Sequence, residues 1–224
     1  MIIDSSSPLK RIAIFYDGTF YTKVTNFYRY SHQRQSWLSF SGLHEFIRYK
    51  VAERETGQNV ALCQIVEAHY FRGRFSLNAV QKQKNPEGIL EGDRFVDQLL
   101  MYAGIVTHYY PMNESVNPPE EKGIDVWLSL EAYDLAVHKR FDILTLFTGD
   151  QDFVPLIRKL NGIGTRVMVI GVFLTEDSQG KKLQPPVITS QRLIDEASYT
   201  VMLDEEIDSK KSKGDSLIDG LFAK

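Results

Sequence analysis

The chain has 224 residues, 43% of them apolar and 25% charged, with a net charge of −3. That length carries an ample core in one large domain, or in one domain with a tail, and the composition is that of an ordinary globular protein. A single cysteine, Cys63, excludes a disulfide within the chain. No apolar run reaches the about 18 residues a bilayer span needs and no signal-peptide pattern stands out, so the expected location is cytoplasmic.

After a polar start, Leu9 to Tyr16 reads as a buried strand that stops at Asp17-Gly18. A long aromatic and polar stretch follows from Phe20 to Phe40. Leu43 to Arg54 has helical spacing, with Gly57 as its stop, and Val60 to Phe71 is a second strand in which Cys63 is a packing residue. Arg72 to Gly88 is a basic loop punctuated by Gly, Asn and Pro. Asp93 to Ala103 is amphipathic and ends at Gly104, where a helix C′ residue belongs. Ile105 to Tyr110 is a third strand, Asn113 to Lys122 a loop, and Gly123 to Lys139 a helix. Asp142 to Thr148 is the fourth strand, Gln151 to Leu160 a helix and Thr165 to Val172 the fifth strand. Glu176 to Pro186 reads as a loop, and Ser190 to Leu203 as a final element. Residues 204–224 are expected to form a flexible tail whose apolar end, Ser216 to Phe222, docks or frays.

Strands alternating with helices at this spacing predict a parallel sheet of about five strands with helices on both faces. Right-handed crossovers place all strand C-termini on one edge, where ligands of open α/β sheets bind. Charge along the chain is uneven. Tyr21 to Arg94 holds eleven basic residues against seven acidic ones, whereas Asp195 to Asp208 holds six acids and no base. The basic middle permits a polyanionic partner without requiring one.

The chemistry concentrates in four acids. Asp17 follows the first strand, Asp125 lies in the first turn of the helix opened by Lys122-Gly123-Ile124, and Asp150 and Asp152 follow the fourth strand in Leu-Phe-Thr-Gly-Asp-Gln-Asp. Gathered on one edge, four carboxylates repel one another unless a divalent cation neutralises them. Oxygen ligands without Cys or His favour Mg²⁺ or Mn²⁺ over Zn²⁺, and such a site can activate water and stabilise charge on a phosphodiester. Each acid also has a plainer role. Asp17-Gly18 suits a hairpin turn, Asp150 an N-cap, and Asp125 and Asp152 complement helix dipoles. Pro155 places a helix start just after Asp152. The five histidines show no metal-ligand spacing.

Ile-Phe-Tyr-Asp-Gly, Lys-Gly-Ile-Asp-Val-Trp-Leu and Thr-Gly-Asp-Gln-Asp-Phe-Val-Pro-Leu-Ile, in that order, resemble the NYN domain family, in its LabA-like branch within the PIN-like nuclease group. The likeness runs over residues 9–203. It implies a Rossmann-like, PIN-like fold, a divalent-metal site and, in active members, hydrolysis of RNA. Carried over by position, Asp17, Asp125, Asp150 and Asp152 are both the catalytic and the metal-site acids, with Thr148 a hydroxyl near the metal or the scissile phosphate. Glu131, six residues after Asp125, is turned about 600° around the helix and is set aside. Where the family usually writes Asp-Gly-x-Asn, this chain has Phe20, which removes an amide and offers a face for base stacking.

Candidate substrate contacts are Thr19, Phe20, Arg72, Arg74, Lys122 and Thr148, with Arg29 and Arg34 as further phosphate contacts among the aromatics. The expected function is a ribonuclease dependent on Mg²⁺ or Mn²⁺. The alternative is an RNA-binding or regulatory module without turnover. A phosphotransferase of the haloacid dehalogenase type, suggested by Tyr-Asp-Gly-Thr, would need a nucleophilic aspartate where Phe15 stands.

Overall fold

The computed structural model describes residues 9–209 and 214–223. Six strands form one parallel sheet: β1 (Lys10–Asp17), β2 (Cys63–Arg74), β3 (Val106–Pro111), β4 (Ile143–Phe147), β5 (Arg166–Gly171) and β8 (Tyr199–Met202). Their spatial order is β3-β2-β1-β4-β5-β8, and each neighbouring pair runs parallel. A separate antiparallel hairpin joins β6 (Phe173–Glu176) to β7 (Lys182–Ile188).

The inner strands are apolar on both faces because helices cover both. Along β1, Ile12, Ile14 and Tyr16 enter one core while Ala13 and Phe15 enter the other. The first core is closed by α1 (Gly18–Tyr30), α2 (Phe40–Glu55) and α4 (Pro86–Tyr102), the second by α5 (Ile124–Lys139), α6 (Val154–Gly162) and α7 (Gln191–Glu196). A short α3 (Leu77–Gln81) precedes α4.

Four segments differ from the sequence expectation. The aromatic stretch after Phe20 begins as helix α1, whose buried side chains Phe20, Tyr21, Val24, Phe27 and Tyr28 recur at helical spacing. Aromatic and β-branched residues are weak helix formers, and here burial overrides propensity; Tyr21 stacks on Phe40 with ring centroids 4.3 Å apart. The supposed basic loop from Arg72 holds the end of β2, then α3 and the start of α4, where Asn85 caps and Pro86 opens the helix. The supposed loop over 176–186 belongs largely to the β6–β7 hairpin. Pro185 and Pro186 argue against a strand, and they are tolerated because β7 has a partner on one side only. The final element divides into α7 and β8, so the sheet has six strands rather than five.

Over its described part the tail is helical rather than flexible, and its apolar end docks, one of the two outcomes expected for it. α8 (Leu203–Asp208) and α9 (Ser216–Gly220) are helical, and Ile218, Leu221 and Phe222 are buried in the first core. Phe222 bridges Leu38, and Arg34 pairs with Asp219. The Lys/Ser run at 210–213 lies outside the described residues. Among the described residues no helix is long and apolar enough to cross a membrane.

Candidate active site

The sheet's connections leave β1 on one side towards β2 and reach β4 on the other, which makes the β1/β4 carboxyl edge a topological switch point. At the end of β1, Asp17 caps α1: its Oδ1 accepts from the Thr19 and Phe20 amides, both at 3.0 Å. The remaining oxygen, Oδ2, accepts from the Thr148 hydroxyl at 3.0 Å. Asp17-Gly18 is therefore a strand-to-helix junction and not a hairpin turn. Glycine is required at 18 because a Cβ would lie 2.6 Å from the Phe71 carbonyl oxygen.

Beyond β4, the Thr148 Oγ1 accepts from the Asp150 amide at 3.3 Å. Asp150 in turn caps a 3₁₀ turn, Gln151–Phe153, by accepting from the Asp152 amide at 2.9 Å. Asp125 stands in the first turn of α5. Asp17, Asp125 and Asp150 line a single cleft of about 430 Å³ together with Thr19, Phe20 and Glu121. Asp152 is exposed and outside this lining, but its charge reaches Asp125.

Electrostatics mark the cluster. Burial first, and then the charges of Asp17, Asp150, Asp152 and Glu121, push the Asp125 carboxyl up to about 6. Burial also raises Asp17, against the opposing effect of the Phe20 amide and the Thr148 hydroxyl.

Two contributors were not foreseen. Glu121 stands one residue before Lys122-Gly123, accepts from the Thr19 hydroxyl at 2.6 Å and from the Gly73 amide at 2.8 Å, and adds a further carboxylate. It lies in the loop before α5, and its contacts with Thr19 and Gly73 are what bring it to the site. Lys23 lines the cleft four residues after Thr19, a position visible only once α1 is recognised. Residues 186–188 of the hairpin close one wall.

The other candidates are placed differently. Phe20 is only 7% exposed and packs edge-on against Phe147, with centroids 5.6 Å apart, so it forms a wall and offers no open stacking face. Lys122 is exposed and outside the cleft lining. Arg72 and Arg74 line an adjoining cavity. Arg74 is engaged by Asp97 and lies over the Tyr109 ring. Arg29 lies over Trp37, and Arg34 secures the tail; both are structural contacts. Glu131 acts electrostatically on His69, away from the cleft lining.

Among the described residues, no three His, Cys, Asp or Glu side chains are gathered tightly enough to grip an ion. The donor set nevertheless fits a hard, hydrated cation. Carboxylates and hydroxyls line the cleft without thiol or imidazole, and Mg²⁺ keeps several waters while taking one or two carboxylates and substrate phosphate oxygens.

The model of the NYN domain matches residues 11–204. The chain belongs to the NYN domain family. NYN domains are nuclease-type domains that generally use divalent metal ions, and the six-stranded parallel sheet agrees with the PIN-like fold. A crystal structure of a protein of unknown function from Vibrio parahaemolyticus has the same fold, with a TM-score of 0.54 at 21% identity over 91% of this chain and 98% of that one. None of the curated proteins matches this NYN chain.

Proposed function

We propose that this NYN domain is a divalent-metal-dependent ribonuclease of the cytoplasm, cutting RNA to leave a 3′-hydroxyl and a 5′-phosphate. The observation that carries the proposal is the convergence of Asp17, Asp125 and Asp150, from three separate parts of the chain, on one cleft. A bound Mg²⁺ or Mn²⁺ would supply Lewis-acid stabilisation of the phosphate and a more acidic water.

One or two of Asp17, Asp125 and Asp150 would hold that ion, the rest acting through its waters, with Asp152 adding negative charge nearby. Two amides and the Thr148 hydroxyl fix the orientation of Asp17. Full ionisation of Asp125 near neutral pH is opposed by its neighbours, so a cation is what stabilises the cluster in its charged form. Lys23 brings positive charge to the cleft, where a phosphate oxygen would meet it.

Phe20 favours a second reading, an RNA-binding module without turnover, because the amide common at this position of the family is replaced by a ring sealed into the wall. End-labelled RNA incubated with Mn²⁺, Mg²⁺ or EDTA, beside Asp150→Asn, decides between them. Metal-dependent cleavage lost in the variant supports the nuclease; binding without cleavage at any metal concentration supports the module.

A further inference from the structure

The two edges of the six-stranded sheet are built differently. β8 ends one side as a strand of only four residues, and very short edge strands are poor templates for further pairing. β3 ends the other side. Among the described residues it pairs with β2 alone, over six residues without a bulge, and no backbone hydrogen bond reaches its outer edge. Its sequence, Val-Thr-His-Tyr-Tyr-Pro, holds no Lys, Arg, Asp or Glu, and the proline comes only at the last position. The devices that keep a second strand away from an edge are absent from β3.

Large apolar side chains border this edge on both faces of the sheet. Val106 and Tyr110 alternate with Thr107 and Tyr109, so they share the face on which His108 and Tyr110 meet Trp127, and both are about half exposed. On the opposite face α4 presents Asp97 to the Tyr109 hydroxyl, and one turn later Met101 and Tyr102 are 71% and 78% exposed. These four side chains leave on the order of 500 Å² open to water, against the about 800 Å² per partner that a stable interface buries. The open backbone of β3 adds to that area.

We infer that β3 pairs with β3 of a second copy of this chain, antiparallel about a two-fold axis at His108, to make one sheet of twelve strands. A two-fold interface must be self-complementary, and this edge is. Residues equally spaced about His108 become cross-strand neighbours, so Val106 faces the partner's Tyr110 and Thr107 faces the partner's Tyr109. Aromatic and β-branched side chains opposite each other on one face stabilise antiparallel strands. His108 meets its own copy, and burial and then His69 push its imidazole down to about 4, so two neutral rings meet near neutral pH. The axis reverses the strand direction, which places the two acid clefts at opposite ends of the joined sheet. β1, which bears Asp17, is two strands from the junction.

The test is sedimentation velocity of the full chain over a hundredfold range of concentration. The wild type is expected to show a monomer–dimer equilibrium. Val106→Glu with Tyr110→Glu sets carboxylates opposite one another across the axis and should weaken the dimer roughly tenfold or more. Val106→Lys with Tyr110→Glu sets opposite charges in the same places and should restore most of the association, which only this register predicts. Both pairs of changes fall on half-exposed side chains, so melting temperatures should stay near that of the wild type. If loss of the Tyr110 contact with Trp127 prevents folding, Val106→Glu alone carries the test and should also weaken the dimer. A wild type that is monomeric at every concentration would overturn the inference and leave the edge to a strand from a different protein. A dimer indifferent to Val106→Glu, or a Lys/Glu variant no better associated than the Glu/Glu one, would overturn it too.

Discussion

The Thr148 hydroxyl donates to Asp17 Oδ2 across 3.0 Å, tying the end of β4 to the end of β1. Because the same Thr148 oxygen accepts from the Asp150 amide, one side chain sets the relative positions of two acids. Thr148→Val keeps the shape and removes both bonds. Cleavage is expected to fall about tenfold, the effect of losing one hydrogen bond to a charged group, with weaker Mn²⁺ binding by calorimetry. Thr148→Ser should restore most of both; a valine variant of full activity would remove the hydroxyl from the site.

Asp17 caps a helix and also faces the cleft, and Asp17→Asn separates the two roles. Asparagine caps nearly as well as aspartate, so the denaturation midpoint should change by no more than about 1 kcal/mol in stability. Cleavage should fall about a hundredfold or more if the charge acts on the reacting phosphate. Equal losses of stability and activity would instead make Asp17 a structural cap.

The raised Asp125 gives the metal-free protein a defined pH dependence. Its carboxyl titrates near 6 when folded against 3.8 ordinarily, so between these values the folded state binds more protons than the unfolded one. The stabilisation from this group is present below the unfolded value and is lost as pH rises through about 6. Thermal melts in EDTA should show a loss of roughly 1 kcal/mol from pH 5 to 7, a figure discounted for solvent screening. Asp125→Asn should flatten this slope, and Mn²⁺ should restore stability at pH 7 while losing affinity below pH 6. A wild-type curve no steeper than that of the variant would refute this account.

Phe20 and Gly149 form one packing unit. A Cβ at 149 would come within 2.6 Å of the Phe20 ring and 3.0 Å of the Ile188 carbonyl oxygen. Phe20→Asn, which restores the usual family residue, should cost about 3 kcal/mol through the cavity it leaves without raising activity. Gly149→Ala should cost about 2 kcal/mol by overpacking, and less when combined with Phe20→Leu. Urea titrations of the four proteins give the coupling.

Much of this was legible in the chain. The runs at Ile12–Tyr16, Ile143–Phe147 and Val167–Ile170 are almost wholly apolar, and their alternation with helical segments points to a parallel sheet covered on both faces. Asp17, Asp125 and Asp150 are adjacent to such runs or open a helix, so topology alone brings them to one edge. What stayed hidden depends on contacts between distant segments. α1 is stabilised by aromatic packing against its helix propensity, β7 keeps its prolines because one edge is unpaired, and Glu121 becomes part of the site only through Thr19 and Gly73. Whether the apolar end at Leu221 and Phe222 docks or frays is equally undecided by composition, since the polar run before them looks like any linker.

The strand order has a kinetic consequence. β1 cannot complete its pairing until β4 arrives, and the Asp17–Thr148 bond closes a separation of 131 residues. Parallel pairings of such long range are slow to form, because loop entropy is lost before the contacts reward it. Refolding should therefore recover helical circular dichroism before it recovers the acid cleft. A partly folded chain would carry helices and hairpin but no assembled cluster of carboxylates, so any cutting activity would be withheld until the centre of the sheet is finished.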